Sequence, residues 1–180
     1  SENRRRLSTA ADAKEQSKFL DRVLGQDFGS FAVSGFKVEN VSALDKDLTT
    51  SFGITADGYA RSMGTLLVLR PRVIGSDGPE VDQKPRHVPI NLYETVQVKD
   101  DFSIALPAGY AVDETPDPVN VDMGFAAYQS SSTGNDNVLH YTRTYTVRQI
   151  TLPADKYGDV QRLARIIGED EQARAVLKKQ

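Results

Sequence analysis

VLHYTRTYTVRQI, residues 138–150, is the stretch whose reading decides the fold. Leu139, Tyr141, Tyr145 and Val147 share one face, and Thr142, Thr144 and Thr146 take the other. Successive side chains of a strand point to opposite faces, so this alternation marks a strand with one side buried. Upstream, Gly134-Asn135-Asp136-Asn137 has turn chemistry, and Phe125 to Ser130 supplies a partner arm. The two arms are predicted to form a long hairpin.

Reading outward toward the N-terminus, short strands recur between turn signals. Phe102, Ile104 and Leu106 alternate cleanly, preceded by Asp100-Asp101 and followed by Pro107-Ala108-Gly109, both read as turns. Tyr110 and Val112 come next, before a break at Pro116 and Pro118. Earlier, Val88, Ile90 and Leu92 alternate, with Pro89 arguing for an edge position, and Val96 and Val98 continue the spacing. The nearly unbroken apolar run from Met63 to Leu69 predicts a buried strand. Phe52 with Ile54, and Phe36 with Val38, predict two more half-buried strands, and Asp57-Gly58 a turn.

Both ends read as helix. Near the start, Ser8-Thr9 can cap a helix whose stripe is Ala13, Leu20 and Leu24, flanked by Phe19 and Val23, with Gly25 as its stop. At the other end Pro153 suits a first helical turn. Tyr157, Val160, Leu163, Ala164 and Ile167 then form a stripe that needs an apolar surface, and Gly168 reads as the stop. Ala173 to Leu177 fits either a last strand or a frayed helix. The predicted fold is therefore mainly β, an antiparallel β-sandwich with an N-terminal helix and a C-terminal helix packed on it. It is read as a single domain over residues 1–180, with the loop at 76–86 as the point where it would subdivide.

Composition narrows the chemistry. A chain of 180 residues buries roughly 70% of its unfolded surface and needs no staple to hold a core. It has no cysteine, which excludes disulfides, thiolate metal sites and cysteine nucleophiles. The net charge of −3 argues against a nucleic-acid partner, and Arg4-Arg5-Arg6 reads as a solvated helix face. No apolar run is long enough for a membrane span. The start, Ser1 rather than Met, reads as that of a fragment from a longer precursor.

Residues that might carry chemistry are few. His87 sits in a polar loop and His140 on the threonine-rich face, without the spacing of a metal site. No serine stands in a nucleophile turn. Asn135-Asp136-Asn137 lacks the ligand spacing of a calcium loop. Asp113, Glu114, Asp117 and Asp122 cluster near prolines and read as a solvated loop. No catalytic, metal or cofactor-binding residue is assigned, and no cofactor is expected. Tyr128, Tyr141 and Tyr145 are the candidate ligand-binding residues, as an aromatic platform for a sugar ring, against the plainer reading of core packing.

A further set of short motifs runs through the chain in order. These are Arg4-Arg5-Arg6-Leu7, Val38-Glu39-Asn40, Gly58-Tyr59-Ala60 and the apolar strand ending at Pro71. Leu106-Pro107, Gly109-Tyr110, Val112, Pro116, Pro118, Leu139, Tyr141, Leu152-Pro153-Ala154 and Tyr157 follow. In these the chain resembles the C-terminal portion of bacterial transglutaminase-like proteins. The resemblance implies a β-sandwich flanking a papain-like core that holds the catalytic Cys, His and Asp. No position here matches that catalytic motif. What it implies for this chain is a bacterial, periplasmic or otherwise extracytoplasmic setting and a non-catalytic accessory role, with the adjacent transglutaminase-like domain of the same polypeptide as partner. The rival expectation is a free-standing module for a glycan or peptide ligand.

Overall fold

The computed structural model describes residues 24–25, 28–75, 78–82, 84, 86–135 and 137–180. The N-terminal helix expected up to Leu24 lies almost wholly outside them. The chain divides into two compact units, the first ending at Tyr59 and the second starting at Ala60. Among the described residues every strand pairing is antiparallel. The fold is mainly β and sandwich-like, with a helix near the C-terminal end.

In the first unit, β1 (Phe31–Glu39) pairs with β2 (Thr49–Ala56). Gly35, at φ 63°, sits where the register shifts between Ser34 and Lys37. Glycine takes this left-handed conformation without a Cβ penalty, so the strand bulges here. Phe36, within the bulge, meets Phe52 with ring centroids 6.0 Å apart.

The second unit holds the two four-stranded sheets. One has the order β6 (Val96–Ala105), β10 (Val138–Val147), β9 (Ala126–Asn135), β8 (Val119–Asp122). The predicted hairpin is its centre: Asn135 pairs with Val138, and Asn137 takes a positive φ of 66° at the turn. Asparagine tolerates that region better than most side chains. The other sheet has the order β3 (Arg61–Met63), β4 (Leu66–Leu69), β12 (Ala175–Lys179), β7 (Tyr110–Glu114). A two-residue ribbon joins β5 (Ile90–Asn91) to β11 (Thr151–Leu152). The two large sheets meet closely at one place: a Cβ on Gly134 would stand 2.5 Å from Cβ of Val112.

The helix α1 (Tyr157–Gln172) follows a single 3-10 turn at Ala154–Lys156. Its stripe is buried as predicted at Tyr157, Val160, Leu163 and Ile167, which join Phe125, Tyr128, Tyr145, Val147 and Leu152 in one core. The helix therefore docks on the inner face of the β8–β10 strands. Residues between β4 and β5 also touch the helix. Gln161 Nε2 donates to the Asp82 carbonyl at 2.8 Å, and the Arg86 guanidinium lies 5.3 Å from the Tyr157 ring centroid.

Three local expectations change. The Met63–Leu69 run is not one strand: Gly64, at φ 67°, turns it into the β3–β4 hairpin and leaves Met63 exposed. Gly168 does not stop the helix, which continues to Gln172; a glycine there costs about 1 kcal/mol, which the anchored last turn offsets. Asp100-Asp101 is not a turn but the middle of the ten-residue strand β6. The residues after the helix settle as strand β12, placed between β4 and β7.

Candidate functional site

Asp100 stays in a strand because its carboxylate has inward partners. It stands directly across from Arg143 of β10. Its Oδ2 accepts from Arg143 Nη1 at 2.7 Å and from Arg72 Nη1 at 2.8 Å. The same two guanidiniums meet Oε1 of Glu171, in the last turn of α1, at 3.4 and 3.3 Å. Two arginines and two carboxylates thus alternate in a ring, in which the Arg143 side chain is wholly buried. Its guanidinium also lies 5.3 Å from the Tyr128 ring centroid and 5.7 Å from that of Tyr145, a cation–π arrangement.

Asp170 extends this cluster. Its carboxylate accepts from Tyr128 Oη at 2.5 Å, Ser130 Oγ at 2.7 Å and Tyr141 Oη at 3.2 Å. Burial, helped by the bond to Asp170, pushes the Tyr128 hydroxyl far above the ordinary tyrosine value. Burial raises Tyr141 as well. Both are therefore neutral hydrogen-bond donors at physiological pH. Acidic residues at a helix C-terminus oppose the macrodipole, so Asp170 and Glu171 are tolerated because cations and hydroxyls receive them.

This places the three candidate tyrosines. Tyr128, Tyr141 and Tyr145 are brought together, but all are buried and face the core, so they offer no exposed plate for a sugar ring. The histidines are not brought together. His87 is exposed in the loop before β5, and His140 is exposed on β10, where its Nδ1 lies 3.1 Å from Ser103 Oγ. Asp113, Glu114 and Asp117 are exposed near β7 and the Pro116–Pro118 break. Asp122 makes a bidentate pair with Arg148 at 2.7 and 3.0 Å, which, with the Gly124 N–H, holds its carboxyl below the usual range. Among the described residues no group of three or more His, Cys, Asp or Glu is arranged to hold a metal ion.

The outward face of the same sheet carries an open cleft of about 330 Å³. It crosses three strands and is lined by Pro118, Asn120, Gln129, Ser131, Thr142 and Thr144, with the strand backbone between them. Ser131 Oγ and Thr142 Oγ1 are 3.0 Å apart, and Gln129 Nε2 donates to Asn120 Oδ1 at 3.2 Å. The alternation of β10 placed Thr142 and Thr144 on this face; the contribution of β8 and β9 needed the sheet order. Arg143, Asp100, Arg72 and Glu171 were missed altogether. The available signal was Arg143 itself, an arginine in the apolar register of Leu139, Tyr141, Tyr145 and Val147.

Residues 67–177, well over half of the chain, match the family model of a domain of unknown function. No curated protein and no solved structure matches the chain.

Proposed function

The chain belongs to the DUF3858 family of domains of unknown function, and from that premise we propose that it is a non-catalytic accessory domain of a larger, transglutaminase-like bacterial polypeptide. In this reading it works outside the cytoplasm and orients or gates a neighbouring domain that carries the catalytic Cys, His and Asp. The observation that carries the reading is what the inner charges are used for. Arg72, Asp100, Arg143 and Glu171 neutralise one another, and both oxygens of Asp170 are taken by hydroxyl donors. Buried charge with such partners fixes one element against another. Here it ties the end of α1 to β6, β9 and β10, which gives a rigid body suited to positioning a neighbour. The resemblance of its short motifs to transglutaminase-like proteins points the same way, and the chain has no cysteine to serve as the nucleophile itself.

The test compares the product of the full reading frame with the same protein lacking residues 60–180. A Cys–His–Asp domain is expected elsewhere in that frame. Its acyl transfer from protein glutamine to a fluorescent amine should fall when the segment is removed. A reading frame without such a domain, or equal rates and equal melting temperatures for the two proteins, overturns the proposal. Fractionation that finds the protein in the cytoplasm overturns its placement.

A further inference from the structure

We infer that the outward face of β8, β9 and β10 is a binding site for an uncharged carbohydrate, centred on the cleft between Pro118, Gln129 and Thr144. The first argument is charge. Along the outward positions of β9 and β10, from Ala127 to Thr133 and from His140 to Thr146, there is no Lys, Arg, Asp or Glu. Charged residues make up 26% of the chain and about a quarter or more of an ordinary surface, so their exclusion from this stretch is a feature of the face. Charge stands directly beside these strands: on β6, exposed Lys99 and Asp101 pair across from Thr144 and Thr142 with one charge of each sign, and on β8 Asp122 is engaged by Arg148.

The second argument is the hydrogen-bonding inventory. The cleft presents two side-chain amides and three hydroxyls, groups that both donate and accept. The Asn120–Gln129 bond uses one donor and one acceptor of the amide pair, and their remaining amide nitrogen and oxygen have no protein partner among the described residues. An anion would leave this neutral site for a basic one. A protein partner would call for the aromatic and arginine anchors that dominate such interfaces, and the aromatic side chains of β9 and β10 point inward. A neutral polyol matches mixed donors and acceptors without charge. The cleft's volume, about 330 Å³, lies at the small end of ligand sites, and Pro118 supplies an apolar wall for a C–H face. With no exposed aromatic plate, affinity should be modest. The inference stands apart from any catalytic neighbour.

The experiment is amide chemical-shift mapping on the 180-residue chain. The probes are cellohexaose, chitohexaose and mannohexaose at about 10 mM, well above a millimolar Kd, with an oligogalacturonate as the charged control. At least one neutral probe should shift amides at 118–120, 129–131 and 142–144. Gln129→Ala should weaken that binding about fivefold, the worth of a neutral hydrogen bond. Thr144→Ile, which removes a hydroxyl and adds aliphatic bulk at the cleft without an aromatic plate, should weaken it further. If Thr144→Ile does not fold, Gln129→Ala and Ser131→Ala carry the test. No shift with any neutral probe, shifts confined to other residues, stronger shifts with the oligogalacturonate, or undiminished binding by the variants overturns the inference. Shifts on these residues from an added transglutaminase-like domain, with none from sugars, also overturn it and reassign the face to a protein.

Discussion

The hairpin of β9 and β10 shows its two faces to different surroundings, and the residues differ accordingly. Inward lie Tyr128, Ser130, Tyr141, Arg143 and Tyr145, all buried; the Tyr128, Ser130 and Tyr141 hydroxyls are engaged by α1, and the Arg143 guanidinium by α1 and β6. Outward lie Gln129, Ser131, Thr142 and Thr144, neutral and partly or fully exposed. The usual arrangement is reversed, since the charge sits inside and the neutral residues outside. Desolvation explains why the inner charges are paired. A buried cation without its carboxylates is costly, whereas an exposed hydroxyl exchanges its partner for water at little cost.

That contrast can be broken by substitution. The largest effect is expected for Arg143→Ala, which leaves Asp100 and Glu171 with half their cationic partners; about 3–5 kcal/mol should be lost in urea unfolding. A loss below that of an ordinary surface change would show that the ring is not what holds the end of α1. Leu163→Ala, at a position 0% exposed, should cost about 2–5 kcal/mol, while Arg165→Ala on the exposed side of the same helix should change little. Equal shifts in melting temperature for these two would refute the docking of the helix on the sheet.

A smaller effect should appear with alkali. Tyr128 and Tyr141 are raised in the folded state, chiefly by burial. In the unfolded chain they lose their protons near the ordinary value of about 10. The folded state then binds more protons, so stability is fully present below that pH and falls as pH rises above it. Denaturation midpoints measured from about pH 9 to 11 should decline, and less steeply in Tyr128→Phe. The smallest effect is expected outside: Thr142→Ala and Gln129→Ala should each stay within about 0.5 kcal/mol of the parent. A large loss from either would erase the distinction between the faces.

The sheet was legible where alternation alone decides it. Val138–Val147 and the stripe Tyr157, Val160, Leu163 and Ile167 are local patterns, and they appear as read. What was not legible depends on distant partners. Asp100-Asp101 looks like a turn because two adjacent acids belong in water. Asp100 turns inward only because Arg72 and Arg143, 28 and 43 residues away, meet it there. The tyrosines show the same limit. Their shared strand faces were readable, but whether those faces met solvent or a helix depended on where α1 docks. The outer cleft was half visible, in the threonines of β10, while Asn120 and Gln129 joined them only through the strand order.

One further consequence follows from the place of β12. Its neighbours, β4 and β7, lie about a hundred and about sixty residues earlier in the chain, yet it runs between them. During synthesis that sheet stays in two pieces until residues 175–179 have cleared the ribosome. Until then β4 and β7 each present a bare edge to any extended segment nearby. Contacts of such long sequence separation also close slowly. A nascent chain stalled anywhere short of Ala175 therefore leaves both edges bare, and the sheet closes only when β12 slides into the gap.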